Sequence, residues 1–230
     1  MAQKSFGTKG TVEKLDVLAN YLHVYTTALK KQNFELIYVD AFAGTGEIPL
    51  PEGGGLLHGV EELNPVIEGS ARRALQLKTP FDRYFFVEKQ RSKATELEKL
   101  YEEYPQLADR ITIQCEDANP WMKRFCAGTD WPRTRAVVFL DPFGNQVNWE
   151  TLVAISRTEA IDLWYLFPAH FGVNRQLPRW RAVLETHAQS LDRLFGPNDW
   201  RGIAFEERHE VDLLVPLHRD YDSLAALGFG

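Results

Sequence analysis

Hydrophobic positions along this chain alternate between two spacings. From Val12 to Lys31 they fall at helical intervals, with Leu15, Leu18, Ala19, Leu22, Tyr25 and Leu29 on one side. Thr11 stands where the N-cap of that helix belongs. The next run, Leu36-Ile-Tyr-Val-Asp-Ala41, is continuously apolar up to its acid and predicts a buried strand. Four more such runs follow: Arg83 to Glu88, Ile111 to Cys115, Arg135 to Asp141 and Ile161 to Phe167. Between them lie amphipathic or mixed segments that predict helices: a short one from a Ser70 cap to near Lys78, Ser92 to Tyr104, a short helix holding Trp121 and Met122, and Trp149 to Arg157. Leu177 to Phe195 predicts the last helix, ended by Gly196-Pro197.

Apolar strands that alternate with helices predict a parallel sheet covered on both faces, wound by right-handed crossovers. The expected fold is therefore α/β, doubly wound and Rossmann-like, in a single domain spanning residues 1–230. Two features stand outside that rhythm. The first is the helix at 11–31, before the first strand. The second is residues 48–69, rich in proline and glycine, which predict a loop-like insertion where such folds keep a tight turn.

The chemistry gathers at the strand ends. The first strand closes on Asp40-Ala41-Phe42-Ala43-Gly44-Thr45-Gly46, a carboxylate followed by a turn of small residues. Gly44 and Gly46 would let the backbone approach a ligand closely. A plain strand-to-helix turn is the ordinary alternative. Glu88 ends the second strand, where nucleotide-binding α/β folds place a carboxylate that accepts from ribose hydroxyls. Lys89 follows it. Taken alone, Glu88 would read as a surface acid before a helix. Asp117 and Ala118 follow the third strand; Asp117 suits an adenine amino group, an N-cap role, or both. The fourth strand ends in Asp141-Pro142-Phe143-Gly144. Ligands in open α/β sheets bind beyond the carboxyl ends of the strands. The series Asp40, Glu88, Asp117, Asp141 on one edge is thus more telling than any member.

Composition narrows the function classes. With 26 basic and 32 acidic side chains the formal charge is -6, so no global basic field attracts a polyanion. A nucleic-acid surface would have to be a local patch. No apolar run approaches the roughly 18 residues needed to span a bilayer. The segment Met1 to Gly7 has no apolar core of the secretory kind. Cys115 and Cys126 lack metal-site spacing and predict buried thiols. A reducing cytoplasm is the expected compartment.

The turn and its acids resemble the class I S-adenosylmethionine-dependent methyltransferases. The resemblance implies that residues 40–46, Glu88, Lys89, Asp117 and Ala118 hold the cofactor, S-adenosyl-L-methionine. Asp141-Pro142-Phe143 resembles the Asp/Asn-Pro-Pro-aromatic motif of RNA and DNA amino-methyltransferases. There the acid holds the target amino group and the ring stacks on the flipped base. Here the second proline is missing and the aromatic residue comes one place early. The helix Lys14-Leu-Asp-Val-Leu-x-x-Tyr21, Gly69-Ser-Ala, Phe85-Phe-Val-Glu-Lys89, Asp-Pro-Phe-Gly-x-Gln146 and Phe195-Gly-x-x-x-Trp200 are similar to the three-Cys-motif partner family. That likeness implies association with a radical-S-adenosylmethionine-like protein carrying three cysteines.

Three functions follow as expectations. One is methylation of an amino group in RNA or DNA, with a basic, aromatic rim drawn from Lys14, Arg72, Arg73, Arg175, Arg179, Trp180 and Arg181, most of which, taken singly, read more readily as residues of a solvated helix face. The second is a cofactor-binding partner protein without independent catalysis. The third is methylation of a protein or small molecule. His170, just past the fifth strand, could line the acceptor pocket. Class I methyltransferases finish with an antiparallel pair of strands. In this chain that hairpin is expected to be absent or incomplete, leaving the fifth strand as an apolar edge, unless residues 200–205 or 211–217 supply a strand.

Overall fold

The computed structural model describes residues 9–49, 66–177, 183–198, 200 and 201. Five strands form one sheet: β1 (Glu35–Asp40), β4 (Arg83–Val87), β5 (Ile111–Gln114), β6 (Thr134–Leu140) and β7 (Ile161–Tyr165). Their order is β5-β4-β1-β6-β7. Counted along the chain that is 3-2-1-4-5, the doubly wound arrangement. The expected α/β Rossmann-like fold is the observed one, and each predicted strand matches within one or two residues.

The described residues fall into two compact units by contact. The first holds those up to Glu116 together with Arg133–Arg135. Here α1 (Lys9–Leu29) buries Leu15, Leu18 and Leu22, the stripe that its helical spacing predicts. It begins before Thr11, so Thr11 lies inside the helix and is not its N-cap. β1 pairs in parallel with β4, Val39 opposite Phe85, and β4 with β5, Phe85 opposite Thr112. A cluster of aromatic rings fills the core: Phe81 lies 5.7 Å from Tyr38 and 6.1 Å from Tyr25, and Tyr84 stacks at 6.3 Å on Phe86.

Three local expectations change in this unit. Residues 48–69 are not loop throughout: β2 (Glu47–Pro49) pairs antiparallel with β3 (Val66–Glu68), so a ribbon closes the base of the insertion. Residues 50–65 lie outside the described residues. Ser70 is the first residue of α2 (Ser70–Leu75), after the N-cap Gly69, and its hydroxyl turns elsewhere. The helix expected over 92–104 is two, α3 (Arg91–Leu97) and α4 (Leu100–Glu103). Tighter bonds from Lys99 N–H to the Glu96 carbonyl and from Glu102 N–H to the Lys99 carbonyl interrupt it.

The second unit holds Asp117–Pro132 and the described residues from Ala136 onward. It contains α5 (Ala118–Gly128), α6 (Trp149–Ser156) and α7 (Glu185–Phe195) beside β6 and β7, which pair in parallel with Phe139 opposite Trp164. Val173, Leu191, Leu194, Phe195 and Trp200 form a buried cluster. α7 begins later than expected, and residues 178–182 lie outside the described residues. Gly196 ends it at φ +61, and a Cβ there would lie 2.4 Å from the Trp149 ring. Among the described residues β7 is a sheet edge. Trp200 and Arg201 are helical, so a strand cannot begin there. Residues 202–230, where the other edge-strand candidate and the closing hairpin would fall, lie outside the described residues. Among the described residues no helix is long and apolar enough to cross a membrane.

Candidate functional site

β1 ends on Asp40, fully buried because the apolar run carries it into the core. A buried carboxylate must be hydrogen-bonded. Its Oδ1 accepts from the Phe42 N–H at 3.2 Å, and its Oδ2 accepts from the Ser70 hydroxyl. This is why the chain bends at once after the strand, and where the Ser70 side chain goes. Burial first, then the charge of Asp40, pushes the phenol of Tyr38 well above its ordinary range.

The turn closes on itself and on β4. Ala43 N–H donates to the Val87 carbonyl at 3.1 Å, and Gly46 N–H to the Ala43 carbonyl at 3.2 Å. Gly44 and Gly46 sit at φ +63 and +73, where L side chains are strained. The two glycines differ in what surrounds them. A Cβ on Gly44 would meet nothing within 4 Å, whereas one on Gly46 would lie 2.9 Å from Arg72 Nη1 and 3.3 Å from Leu97. Gly44 therefore faces open space, and Gly46 is packed against the protein. Gly69 closes the far side: its N–H donates to the Gly46 carbonyl at 2.9 Å, and a Cβ there would stand 2.8 Å from that oxygen.

Glu88, only 8% exposed, is bonded directly to the turn. Its Oε2 accepts from Gly44 N–H at 3.1 Å and its Oε1 from Gln90 N–H at 2.7 Å. These are charge-assisted bonds. A carboxylate has about four acceptor positions, so two amides leave capacity for hydroxyl donors. Lys89 is exposed, and its carbonyl accepts from the Cys115 thiol at 3.9 Å. Cys115 is therefore exposed rather than buried as expected; Cys126 is buried.

The second unit arranges the other candidates around Asn119. Asp117 is the N-cap of α5: its Oδ1 accepts from Asn119 N–H at 2.9 Å. The Asn119 amide group donates to Asp117 at 3.2 Å and to the Gln146 carbonyl at 2.8 Å. Its oxygen accepts from Asn148 N–H and the Thr151 hydroxyl, both at 2.8 Å. One buried side chain thus ties the Asp117 cap to the loop that follows β6, and Ala118 is buried beside it. In that loop Asp141 is half-buried and Pro142 buried, while Phe143 is 74% exposed. The Phe143 N–H donates to Gln146 Oε1 at 3.0 Å, and Gly144 turns at φ +74. Asn145 holds the loop from behind through Gln176 at 3.1 Å and Ser190 at 3.4 Å. Its Oδ1 lies 2.1 Å from where a Gly172 Cβ would be.

Gly44 and Glu88 are joined by a direct bond, Gly46 is tied into the same turn through the Ala43 carbonyl, and Asp40 anchors the start of the turn through Phe42 and Ser70. Asp117 and Phe143 are held by a separate set that runs through Asn119 and Gln146. The expected basic rim is corrected. Arg72 is buried and paired bidentately with Glu103, at 2.9 and 2.8 Å, and with Glu47 at 2.9 Å. Burial alone would lower its pKa, but Glu103 and Glu47 outweigh that and raise it. Arg73 pairs with Asp16 and donates to the Glu68 carbonyl. Lys14 is half-buried and Arg175 exposed. Arg179, Trp180, Arg181 and the His170 side chain lie outside the described residues. Sequence reasoning missed Asn119, Asn145 and the Gly69 contact. Only the Asp117-x-Asn119 spacing at a helix start offered a signal.

No family model matches the chain, and no curated protein matches it. Solved structures that are similar in part include three. One is a DUF519 protein from Legionella pneumophila, 15% identical, covering 78% of this chain and 74% of its own, at TM-score 0.46. A second is the Escherichia coli protein yhhF, whose name assigns it provisionally to the methyltransferases, at 16%, 72%, 67% and 0.37. A third is a conserved hypothetical protein from Streptococcus pyogenes, at 17%, 62%, 69% and 0.33. No residue role is carried over from any of them.

Proposed function

We propose that this chain binds S-adenosyl-L-methionine at the turn after β1 and transfers its methyl group to an amino group of a nucleic-acid base. The observation that carries the reading is the Gly44–Glu88 bond. It fixes a buried carboxylate beside a left-handed glycine whose Cβ direction is open. The residues present fit an adenosyl ligand. Glu88 retains acceptor capacity for ribose hydroxyls, and Gly44 leaves room for close approach.

When bound, S-adenosyl-L-methionine supplies an electrophilic methyl group on a sulfonium. The protein's task is then positioning. Asp141, held half-buried by the loop after β6, would orient the lone pair of the acceptor nitrogen together with nearby carbonyls. The proton can leave after transfer, so Asp141 needs little basicity. Phe143, exposed on a backbone pinned by Gln146, offers a face on which a base can stack.

A second reading is a cofactor-binding protein that acts beside a radical-S-adenosylmethionine-like, three-cysteine partner. The neutralised Arg72 and Arg73 favour it, because they remove two cations from the rim that RNA or DNA would need. Labelled-methyl transfer to total RNA, DNA and protein separates the two. Label in RNA or DNA that is lost in Asp141→Ala supports the first. Binding without transfer to any of the three supports the second.

A further inference from the structure

The segments that enter the strands of the first unit carry an excess of positive charge. Residues 30–35 lead into β1, 76–83 into β4 and 105–110 into β5, and Arg133–Arg135 open β6. The sheet is parallel, so all four segments arrive at one edge, opposite the edge that holds Asp40 and Glu88. Together they hold seven basic side chains, Lys30, Lys31, Lys78, Arg83, Arg110, Arg133 and Arg135, against three acidic ones, Glu35, Asp82 and Asp109. The whole chain stands at -6, so this edge is locally of opposite sign. Few of its charges are cancelled. Lys30, Lys31, Lys78, Arg110 and Arg133 are exposed and have no ion pair among the described residues. Arg83 only approaches Glu35, at 3.9 Å, and Asp82 uses one oxygen on the Leu36 N–H at 2.8 Å. The register sets Tyr84 beside Ile111, so Arg83 and Arg110 enter adjacent strands about 4.8 Å apart. Arg135 lies 4.1 Å over the ring of half-buried Phe34, a guanidinium–aromatic pair at the same edge.

We propose that this edge is a docking surface for single-stranded RNA or DNA, held at its phosphates by these lysines and arginines and at a base by the Phe34–Arg135 pair. Cations that neutralise phosphates release counterions, which supplies most of the sequence-independent affinity. Aromatic and guanidinium planes stack on bases of any sequence. That pair favours a nucleic acid over an acidic protein, whose carboxylates have no use for a stacking plane. The inference goes beyond the adenosyl reading and does not rest on it. The row stands about 17 Å from Glu88 along β4, so it grips the strand away from any base at the ligand edge, and binding is read without a methyl donor.

Fluorescence anisotropy with a labelled oligouridylate, over a series of salt concentrations, tests it on the intact chain. With about four phosphates engaged, log affinity should fall against log salt with a slope of about -3. Lys31→Glu combined with Arg133→Glu should weaken binding about tenfold or more and reduce that slope by about 1.4, with the circular dichroism spectrum unchanged. Arg91→Glu combined with Lys93→Glu makes the same change in net charge at the opposite edge, and should weaken binding less than about threefold. Phe34→Leu, which removes the ring and no charge, should weaken binding several-fold and leave the slope as it was. Equal weakening by the two charge-reversed pairs would show that only net charge matters, and would overturn the proposal. No effect of Phe34→Leu, salt-independent binding, or no binding by the intact chain would overturn it too. Should polyglutamate or phosphatidylserine vesicles displace the label as well as unlabelled oligouridylate does, the edge serves an acidic protein or a membrane surface, and the proposal falls.

Discussion

The amide of Gly44 donates to the carboxylate of Glu88 at 3.1 Å, joining residues 44 apart in the chain. This bond sets the geometry of the site, because it makes the turn after β1 and the acid after β4 one rigid piece.

Gly44 and Gly46 should separate stability from binding. Both have positive φ, so alanine at either strains the backbone by about 1–2 kcal/mol. At Gly44 the new Cβ enters open space, and the stability loss should stop there. Gly46→Ala also drives a Cβ to 2.9 Å from Arg72 Nη1 and should destabilise further, by about 1–3 kcal/mol. Denaturant unfolding of the two variants checks the order.

Asn119→Ala should be the most destabilising single polar change in the second unit. It leaves the Asn148 N–H, the Thr151 hydroxyl and the Gln146 carbonyl without their partner. The expected loss is about 3 kcal/mol. Asn119→Asp keeps the two acceptor bonds but sets a carboxylate oxygen against the Asp117 carboxylate and the Gln146 carbonyl, so it should destabilise as well. Thermal unfolding ranks the two.

Much of this fold was readable from the chain, and the reason is specific. Strands such as Leu36–Asp40 and Ala136–Leu140 are buried on both faces, so their residues had to be apolar in series, which leaves a plain mark. The acids at their ends were readable for the same reason: Asp40 and Glu88 interrupt an otherwise apolar pattern. Arg72 and Arg73 were misread because their partners, Glu103 and Asp16, lie 31 and 57 residues away and share no local pattern with them. Cys115 was misread as buried because a thiol at a strand end has the same sequence signature either way. Asn119 was missed because its role depends on Gln146, Asn148 and Thr151, a loop and helix far along the chain.

Tyr38→Phe should leave stability unchanged or raise it by up to about 1 kcal/mol. The Tyr38 hydroxyl is buried without a hydrogen-bond partner among the described residues, so its removal relieves a desolvated group. A loss above about 1 kcal/mol in urea unfolding would show that the hydroxyl is bonded after all.

Alkaline pH should destabilise the protein. Burial raises Tyr84 from 10.0 to about 12 and Cys126 from 9.0 to about 12, and raises Tyr38 well above 10.0. Each group stays protonated in the folded chain at a pH where the unfolded chain has lost the proton. The unfolded state then binds fewer protons, so stability falls as pH rises. The melting temperature should decline from about pH 9, where the Cys126 window opens, to about pH 12. Cys126→Ala should flatten the lower part of that decline. The same burial predicts one fast thiol, Cys115, in a disulfide-exchange titration of the native protein, with Cys126 reacting only on unfolding.

The central claim is that the Gly44–Glu88 unit holds an adenosyl ligand. Calorimetric titration of S-adenosyl-L-methionine into the intact chain, Gly44→Val and Glu88→Ala tests it most directly. The account predicts one saturable site in the intact chain and loss of that binding in both variants while they keep their circular dichroism spectra. Unchanged affinity in the two folded variants, or no binding by the intact chain, would contradict it.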